Sequence, residues 1–316
     1  VYIASDMEEP IVEIRTLRYF LAVVKAQSII GASRVLHITQ PTLSRQLSEM
    51  EEELGCLLFK RSNRFITLTS EGLFLYKRAE EIVGLVDKTT NQFKKPNEII
   101  CGKVSIGCAE SETMRYIAKM IKKIQIQYPQ VEFQLISGSI ADVADKIDNG
   151  VYDFGVFCDV VDSRKYKYLR LPEEERWGVL MRKGDPLAQY DAVTPSMLWD
   201  APLICSGETL PGSALLNDRL AEWIQKDFSD LHITATYNLL YNASILVEEG
   251  LGYAICFDRI LNLSGESILC FRPLVPELTS SIYFVWKKDQ IFTRQAALFL
   301  EQMQENLSKE TNVTGI

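Results

Sequence analysis

Residues Ile38 to Leu58 read I-T-Q-P-T-L-S-R-Q-L-S-E-M-E-E-E-L-G-C-L-L. Thr39 suits an N-cap, its hydroxyl accepting from a backbone N–H of the first turn. Pro41 falls in that turn, where a missing N–H leaves nothing unsatisfied. Leu43, Leu47, Met50 and Leu54 then recur at spacings of four, three and four, one face of a helix, and Gly55 is a C-terminal stop. Gln40, Thr42, Ser44, Arg45 and Ser48 lie off the apolar stripe, near the start. A helix placed in a DNA major groove reads base edges from that position. Ser28 begins a shorter helix, I-I-G-A-S-R-V-L, with Ile29, Ala32, Val35 and Leu36 inward, and His37-Ile38 turns the chain into Thr39. Two short helices joined by a tight turn make a helix-turn-helix, although a plain helical corner has the same spacing.

Leu17 to Ala26 is an earlier helix. Leu57-Leu58-Phe59 and Phe65-Ile66-Thr67-Leu68 read as strands around a basic turn, Lys60-Arg61-Ser62-Asn63-Arg64. A hairpin with Arg61 and Arg64 near its tip suits a phosphate or a narrow minor groove. Thr69 or Ser70 then caps a long helix. In it Leu75, Ala79, Ile82, Val86, Thr89 and Phe93 step by four and three, a heptad seam long enough to pair two helices. Lys94-Lys95-Pro96-Asn97 ends it.

The motifs L-R-Y-F-L-A-V-V, S-I-I-G-A-S-R-V-L-H-I-T-Q-P-T-L-S-R-Q-L, E-E-E-L-G-C-L-L-F-K-R and L-T-S-E-G resemble the DNA-binding domain of LysR-type transcriptional regulators from about Leu17 to Gly72. Gly31 and Ser33 stand where alanine-like residues are commoner. The resemblance implies double-stranded operator DNA as partner, with Ser28, Thr39, Gln40, Pro41, Thr42, Ser44, Arg45, Arg61 and Arg64 at the interface. It also implies a homodimer through the long helix, a homotetramer completed by sensor-domain contacts, and RNA polymerase as a further partner.

The 316 residues suffice for two to three domains. The net charge of −8 looks wrong for a DNA binder. Position resolves it: residues 14–70 carry eight Lys/Arg against four acids, so the basic surface is local. No apolar run reaches a membrane span, and the acidic start (Asp6, Glu8, Glu9, Glu13) is unlike a secretory signal. Residues 1–13 read as an extension or tag. Seven cysteines without a C-x-x-C argue against a disulfide framework, so a cytoplasmic chain with buried, inert thiols is expected.

From about residue 101 strands alternate with helices, the mark of a mostly parallel sheet. Strands are expected at Lys103–Gly107, Val131–Ile136, Asp153–Phe157, Trp177–Met181, Leu203–Cys205, His232–Tyr237, Gly252–Cys256 and Ile282–Trp286. Helices are expected at Glu112–Tyr128, Ile140–Asn149, Ser213–Lys226, Asn242–Glu249 and Thr293–Asn306. Y-P-Q-V-E-F, N-G-V-Y-D-F-G-V and E-E-G-L-G-Y-A-I resemble the same family's effector domain. That resemblance implies an α/β fold like a type 2 periplasmic binding protein, with two lobes and two crossovers, near Leu169–Arg176 and Leu274–Thr279. The expected organisation is therefore an extension (1–13), a winged helix-turn-helix (14–70), a linker helix (71–96) and an effector-binding domain (101–316). Its lobe I spans about 101–170 and 277–310, and its lobe II about 171–276.

Open α/β sheets bind ligands at the carboxyl ends of their strands. Four such ends carry Ser111, Ser137, Ser139, Ile140, Cys205, Ser206, Gly207 and Asn238, the expected effector site; the same serines would also serve as plain helix caps. No Lys or Arg lies on these loops, and Glu110 and Glu112 flank Ser111, which disfavours a strongly anionic effector and suits a polar neutral or cationic one. His37 and His232 have no metal-type partner, and no G-x-S-x-G, P-loop or G-x-G-x-x-G occurs. No metal, cofactor or enzymatic activity is expected. Two other readings stay open: a redox sensor of the same architecture built on Cys205, and a solute-binding protein.

Overall fold

The computed structural model describes residues 12–61, 66–94, 100–159, 161–210 and 218–313. The chain forms two compact units, one up to Lys95 and one from Pro96. Among the described residues no helix is long and apolar enough to cross a membrane.

In the first unit, α1 (Ile14–Ala26), α2 (Ile29–Leu36) and α3 (Gln40–Leu54) precede a hairpin of β1 (Phe59–Arg61) and β2 (Ile66–Leu68) and the long α4 (Ser70–Lys94). Each boundary has a local cause. Ser28 Oγ accepts from Gly31 N–H and Thr39 Oγ1 from Thr42 N–H, while His37 and Gly55 turn the chain through left-handed backbone. Thr69, not Ser70, caps α4, its hydroxyl accepting from Gly72 N–H at 2.9 Å. Gly72 has no substitute, because a Cβ there would lie 2.1 Å from the Leu58 carbonyl oxygen. Leu17, Phe20, Leu43, Leu47 and Met50 are buried together with Phe59, Ala79 and Val83. Each of the larger of these side chains contributes about 1.5–3 kcal/mol.

Several readings need correcting here. Val35 does not face inward: it is 72% exposed, and Ser33 is buried in its place, bonded to the Ile30 carbonyl. Leu57 is exposed and precedes β1. The heptad seam does not run as spaced, because Ala79 is buried in the unit's own core and Leu75 packs against it. The exposed apolar residues of α4 include Phe74, Ile82, Leu85 and Phe93, a stripe rotated toward solvent. Arg18 on α1 pairs with Asp87 on α4, locking the face opposite that stripe.

The second unit is built on a nine-stranded sheet ordered β4-β3-β5-β11-β6-β9-β7-β8, with β10 on β6. The first half runs β3 (Gly102–Cys108), α5 (Met114–Gln127), β4 (Val131–Ser137), α6 (Ile140–Asp148) and β5 (Phe154–Cys158). The chain then crosses on β6 (Tyr166–Arg182). The second half repeats the scheme with β7 (Leu203–Ser206), α7 (Asp218–Ile224), β8 (Ile233–Tyr237), α8 (Leu240–Glu248) and β9 (Tyr253–Phe257). After β10 (Leu269–Pro273), β11 (Thr279–Lys287) crosses back, and α9 (Arg294–Val313) buries Ala296, Phe299 and Met303 in the first half. β3 pairs in parallel with β4 and β5, and β7 with β8 and β9, so each half presents its strand ends in one direction. This is a two-lobed α/β fold with two crossovers.

Two strand readings change. The first crossover and the strand expected at Trp177–Met181 are one strand of 17 residues, paired with β11 from Tyr166 to Arg176. Pro172 lies opposite the register shift between Ser281 and Tyr283, where a bulge spares it a ladder hydrogen bond. β10 was not expected at all. Of the expected helix at 213–226, residues 213–217 lie outside the described residues.

Glu51 is a buried carboxylate in the first unit, accepting from Leu58 N–H at 2.7 Å and Phe59 N–H at 3.1 Å. It ties α3 to the start of the hairpin. Glu51→Ala leaves both donors buried and should cost roughly 2–4 kcal/mol, with Glu51→Gln costing less. Urea denaturation of the full chain measures this; a loss under about 0.5 kcal/mol would make Glu51 a bystander.

Candidate functional site

The first unit presents the start of α3 to solvent. Thr39, Gln40, Pro41, Thr42 and Arg45 are exposed and Ser44 is half-buried. The cap orders this end: Thr39 Oγ1 lies 2.8 Å from Thr42 Oγ1. Arg45 Nε donates to Glu49 Oε1 at 2.7 Å, one turn along the same face. Ser28 is half-buried at the start of α2, spent on its own cap. Arg61 closes β1, and its side chain lies outside the described residues, as does Arg64.

In the second unit a cavity of about 150 Å³ lies between the two halves, at the carboxyl ends of the strands. Of the expected residues, Ser137, Ser139, Ile140, Ser206, Gly207 and Asn238 line it. Two do not. Cys205 is fully buried below it, and burial pushes its thiol up to about 12. Ser111 is turned away: its hydroxyl donates to the buried Glu175 on β6 and accepts from Thr113 N–H at 3.0 Å. Glu175 also accepts from Thr113 N–H and Oγ1, at 2.8 and 2.6 Å. Ser111 therefore fastens the loop after β3 to the crossover. Ser139 and Ser206 both cap and line. Ser139 Oγ accepts from Asp142 N–H at 3.0 Å and starts α6, and Ser206 Oγ accepts from Glu208 N–H at 3.3 Å.

Other wall residues were not anticipated from sequence. Cys158 and Asp159 end β5, Cys256 and Phe257 end β9, and the strand-end rule applied to those two strands finds them. Trp177 lies on the crossover, which that rule does not flag. Its Nε1 donates to Ser280 Oγ at 2.8 Å, which donates in turn to Asp159 Oδ2. Phe257 packs edge-on against Trp177 with ring centroids 4.5 Å apart. Asp159 holds left-handed backbone (φ 57°), accepts from Ser281 N–H at 2.8 Å and lies 3.8 Å from Arg219 Nη1.

Not all seven cysteines are buried as expected: Cys108, Cys205 and Cys256 are, while Cys56, Cys101, Cys158 and Cys270 are half-buried, and all seven are free thiols. Burial raises the Cys108, Cys158 and Cys256 thiols above the ordinary range, and the charges of Glu110, Asp159 and Asp258 respectively add to it. None of these three has the depressed pKa of a reactive thiolate. Among the described residues no group of three or more His, Cys, Asp or Glu is arranged to hold a metal ion.

Two family models match the chain. The "Bacterial regulatory helix-turn-helix protein, lysR family" model matches residues 14–73, and the "LysR substrate binding domain" model matches residues 98–308. The regulator BudR of Raoultella terrigena is 27% identical over 92% of this chain and 99% of its own. The hca operon activator HcaR of Escherichia coli strain K12 is 26% identical over 95% and 99%. The crystal structure of CbnR, a LysR family transcriptional regulator, superposes with a TM-score of 0.71 at 16% identity, covering 93% of this chain and 99% of that one. Full-length CbnR complexed with its target DNA gives 0.68 at 17%, with the same coverage. With a helix-turn-helix in its first unit, a two-lobed α/β sheet in its second and both family models matched, the chain belongs to the LysR family of transcriptional regulators.

Proposed function

We propose that the start of α3 reads operator DNA, that α4 joins two copies, and that the cavity of the second unit receives a small metabolite that shifts the oligomer's arrangement on DNA. The family is one of DNA-binding transcriptional regulators with an effector-binding domain. The observation that carries the DNA reading is the solvent-facing set of Gln40, Thr42, Ser44 and Arg45 at the beginning of α3. Side chains of this kind, leading a helix after a tight turn, suit base edges in the major groove. Thr39 and Pro41 order that end of α3, Ser28 orders the start of α2, and Arg61 and Arg64 are assigned to the backbone or minor groove. CbnR, of like fold, was solved on its target DNA.

The exposed stripe of Phe74, Ile82, Leu85 and Phe93 supports the homodimer. A homotetramer would use exposed apolar residues of the second unit, Ile126 on α5 and Leu135 on the edge strand β4, or Tyr241 and Ile245 on α8. RNA polymerase is a further partner of a regulator bound at a promoter. An effector acts by preferring one arrangement of the two lobes, and its differential affinity sets the size of the response. The raised thiols favour a metabolite over a thiolate-based redox sensor.

The DNA assignment is tested on an operator selected from genomic fragments. Arg45→Ala should weaken operator binding by roughly 1–3 kcal/mol in fluorescence anisotropy and blur discrimination against random duplex. Glu49→Gln, which frees Arg45 from its present partner, should leave operator affinity equal or higher. An equal loss on operator and random DNA would make Arg45 a phosphate contact, and unchanged binding would overturn the assignment.

The dimer is tested by Leu85→Asp, which sets a charge in the stripe at an uncompensated burial cost. Sedimentation velocity should then show smaller species. An unchanged mass would remove this face of α4 from the interface.

A further inference from the structure

The cavity carries two carboxylates of its own, each reaching across to the opposite half of the unit. Glu110, beyond β3, accepts from Leu240 N–H, the first residue of α8. Glu208, beyond β7, accepts a backbone hydrogen bond from Ile140, the first residue of α6. Both helices have nine residues, and both open onto the cavity. The unpaired N–H groups and dipole of a helix start are the places where an anionic ligand would be held. Here each already has a protein carboxylate.

The rest of the wall continues this charge. Asp159 is a third carboxylate, and among the described residues no Lys or Arg lines the cavity. Negative charge is already costly there. Burial pushes Glu208 above the ordinary glutamate range, the Ile140 hydrogen bond pulls it back, and the charge of Asp142 raises it further. A ligand carboxylate would add like charge in a partly desolvated space and find the first N–H of both helices already held by a carboxylate. A carboxylate that accepts one backbone N–H keeps lone pairs for further donors, so Glu110 has capacity for a ligand's N–H groups, and the charge of Glu208 faces the same space. The surfaces between them are apolar: Trp177, Phe257, Ile260, Leu240 and the thiols of Cys108 and Cys256. An apolar cavity of ~150 Å³ admits a benzene ring.

Resting on the reading of this cleft as the effector site, we propose that its ligand is a small organic amine, protonated at neutral pH, with an apolar body about the size of one aromatic ring. Glu110 and Glu208 select for the positive charge, and Trp177 and Phe257 hold the apolar body.

Calorimetric titration of the full chain with benzylamine, benzyl alcohol and benzoate tests this, because the three share a ring and differ in charge. Benzylamine should bind at least about tenfold more tightly than benzoate, with the alcohol between them. Glu110→Gln and Glu208→Gln should each shrink that preference by several-fold. Ile260→Trp, which fills the cavity, should abolish benzylamine binding. Benzoate bound as tightly as benzylamine by the unaltered chain overturns the charge assignment and leaves the cleft as receptor. Benzylamine binding that survives Ile260→Trp overturns the proposal by placing the amine elsewhere. No heat from any of the three at millimolar concentration overturns the cleft reading and the amine with it.

Discussion

The antiparallel pairing of β6 with β11 is the constraint on which the second unit depends. Both strands cross between the lobes, and their ladder runs from Tyr166 to Arg176 against Lys287 to Thr279. Neither lobe can close its sheet without them: β5 pairs with β11, and β9 with β6. The strand ends of the two parallel sets are thereby brought to one crevice. The crossing strands also furnish its floor and its fastenings. Trp177, Ser280 and Asp159 form one hydrogen-bonded run there, and Glu175 holds Ser111 and Thr113 from below.

Among the described residues, a small set of polar groups ties the two lobes across the crevice. Glu110 to α8, Glu208 to α6 and Asp159 with Arg219 reach across the crevice. Hydrogen bonds between protein groups exchange for bonds to water, so each is worth only about 0.5–1.5 kcal/mol net, more where an ion takes part. Arg219 is half exposed and its pairing with Asp159 is worth less again. Lobe separation is therefore opposed by a modest free energy. A ligand with a few kcal/mol of differential affinity is enough to move such an equilibrium.

The sequence made the helix-turn-helix legible because its signals are local. Thr39, Pro41 and Gly55 act within one turn of where they stand, and the stripe of Leu43, Leu47 and Met50 needs only the helical period. Val35 was misread for the opposite reason. Its hydrophobicity argues for burial, yet the close approach of helices around Ala32 admits the small Ser33 instead. Ala79 belongs to the heptad rhythm and also to the core beneath α1, and spacing alone does not say which neighbour claims it. In the second unit, alternation of strands and helices was readable, while the first part of β6 was not. Y-K-Y-L-R-L-P-E-E-E-R alternates weakly, contains Pro172, and is a strand only because β11 lies beside it. The site followed the same division. Strand ends pointed to Ser139, Ser206 and Asn238, but Ser111 needed knowledge of Glu175, 64 residues away.

The thiols of the crevice have a physical account that needs no chemistry of their own. The two lobes repeat one strand and helix scheme, and a cysteine stands at or one residue before the end of its first and third strands in both: Cys108 and Cys158 at the last position, Cys205 and Cys256 one before it. A strand end beneath a cavity must be small enough to leave the space open and apolar enough to be buried beside carbonyls. Cysteine meets both conditions as a small, polarizable hydrophobe. Burial raises all four thiols, and nearby carboxylates oppose the ionisation of Cys108, Cys158 and Cys256 further. The charge that opposes an anion in the crevice thus also opposes a thiolate there, so one feature of the wall acts on both.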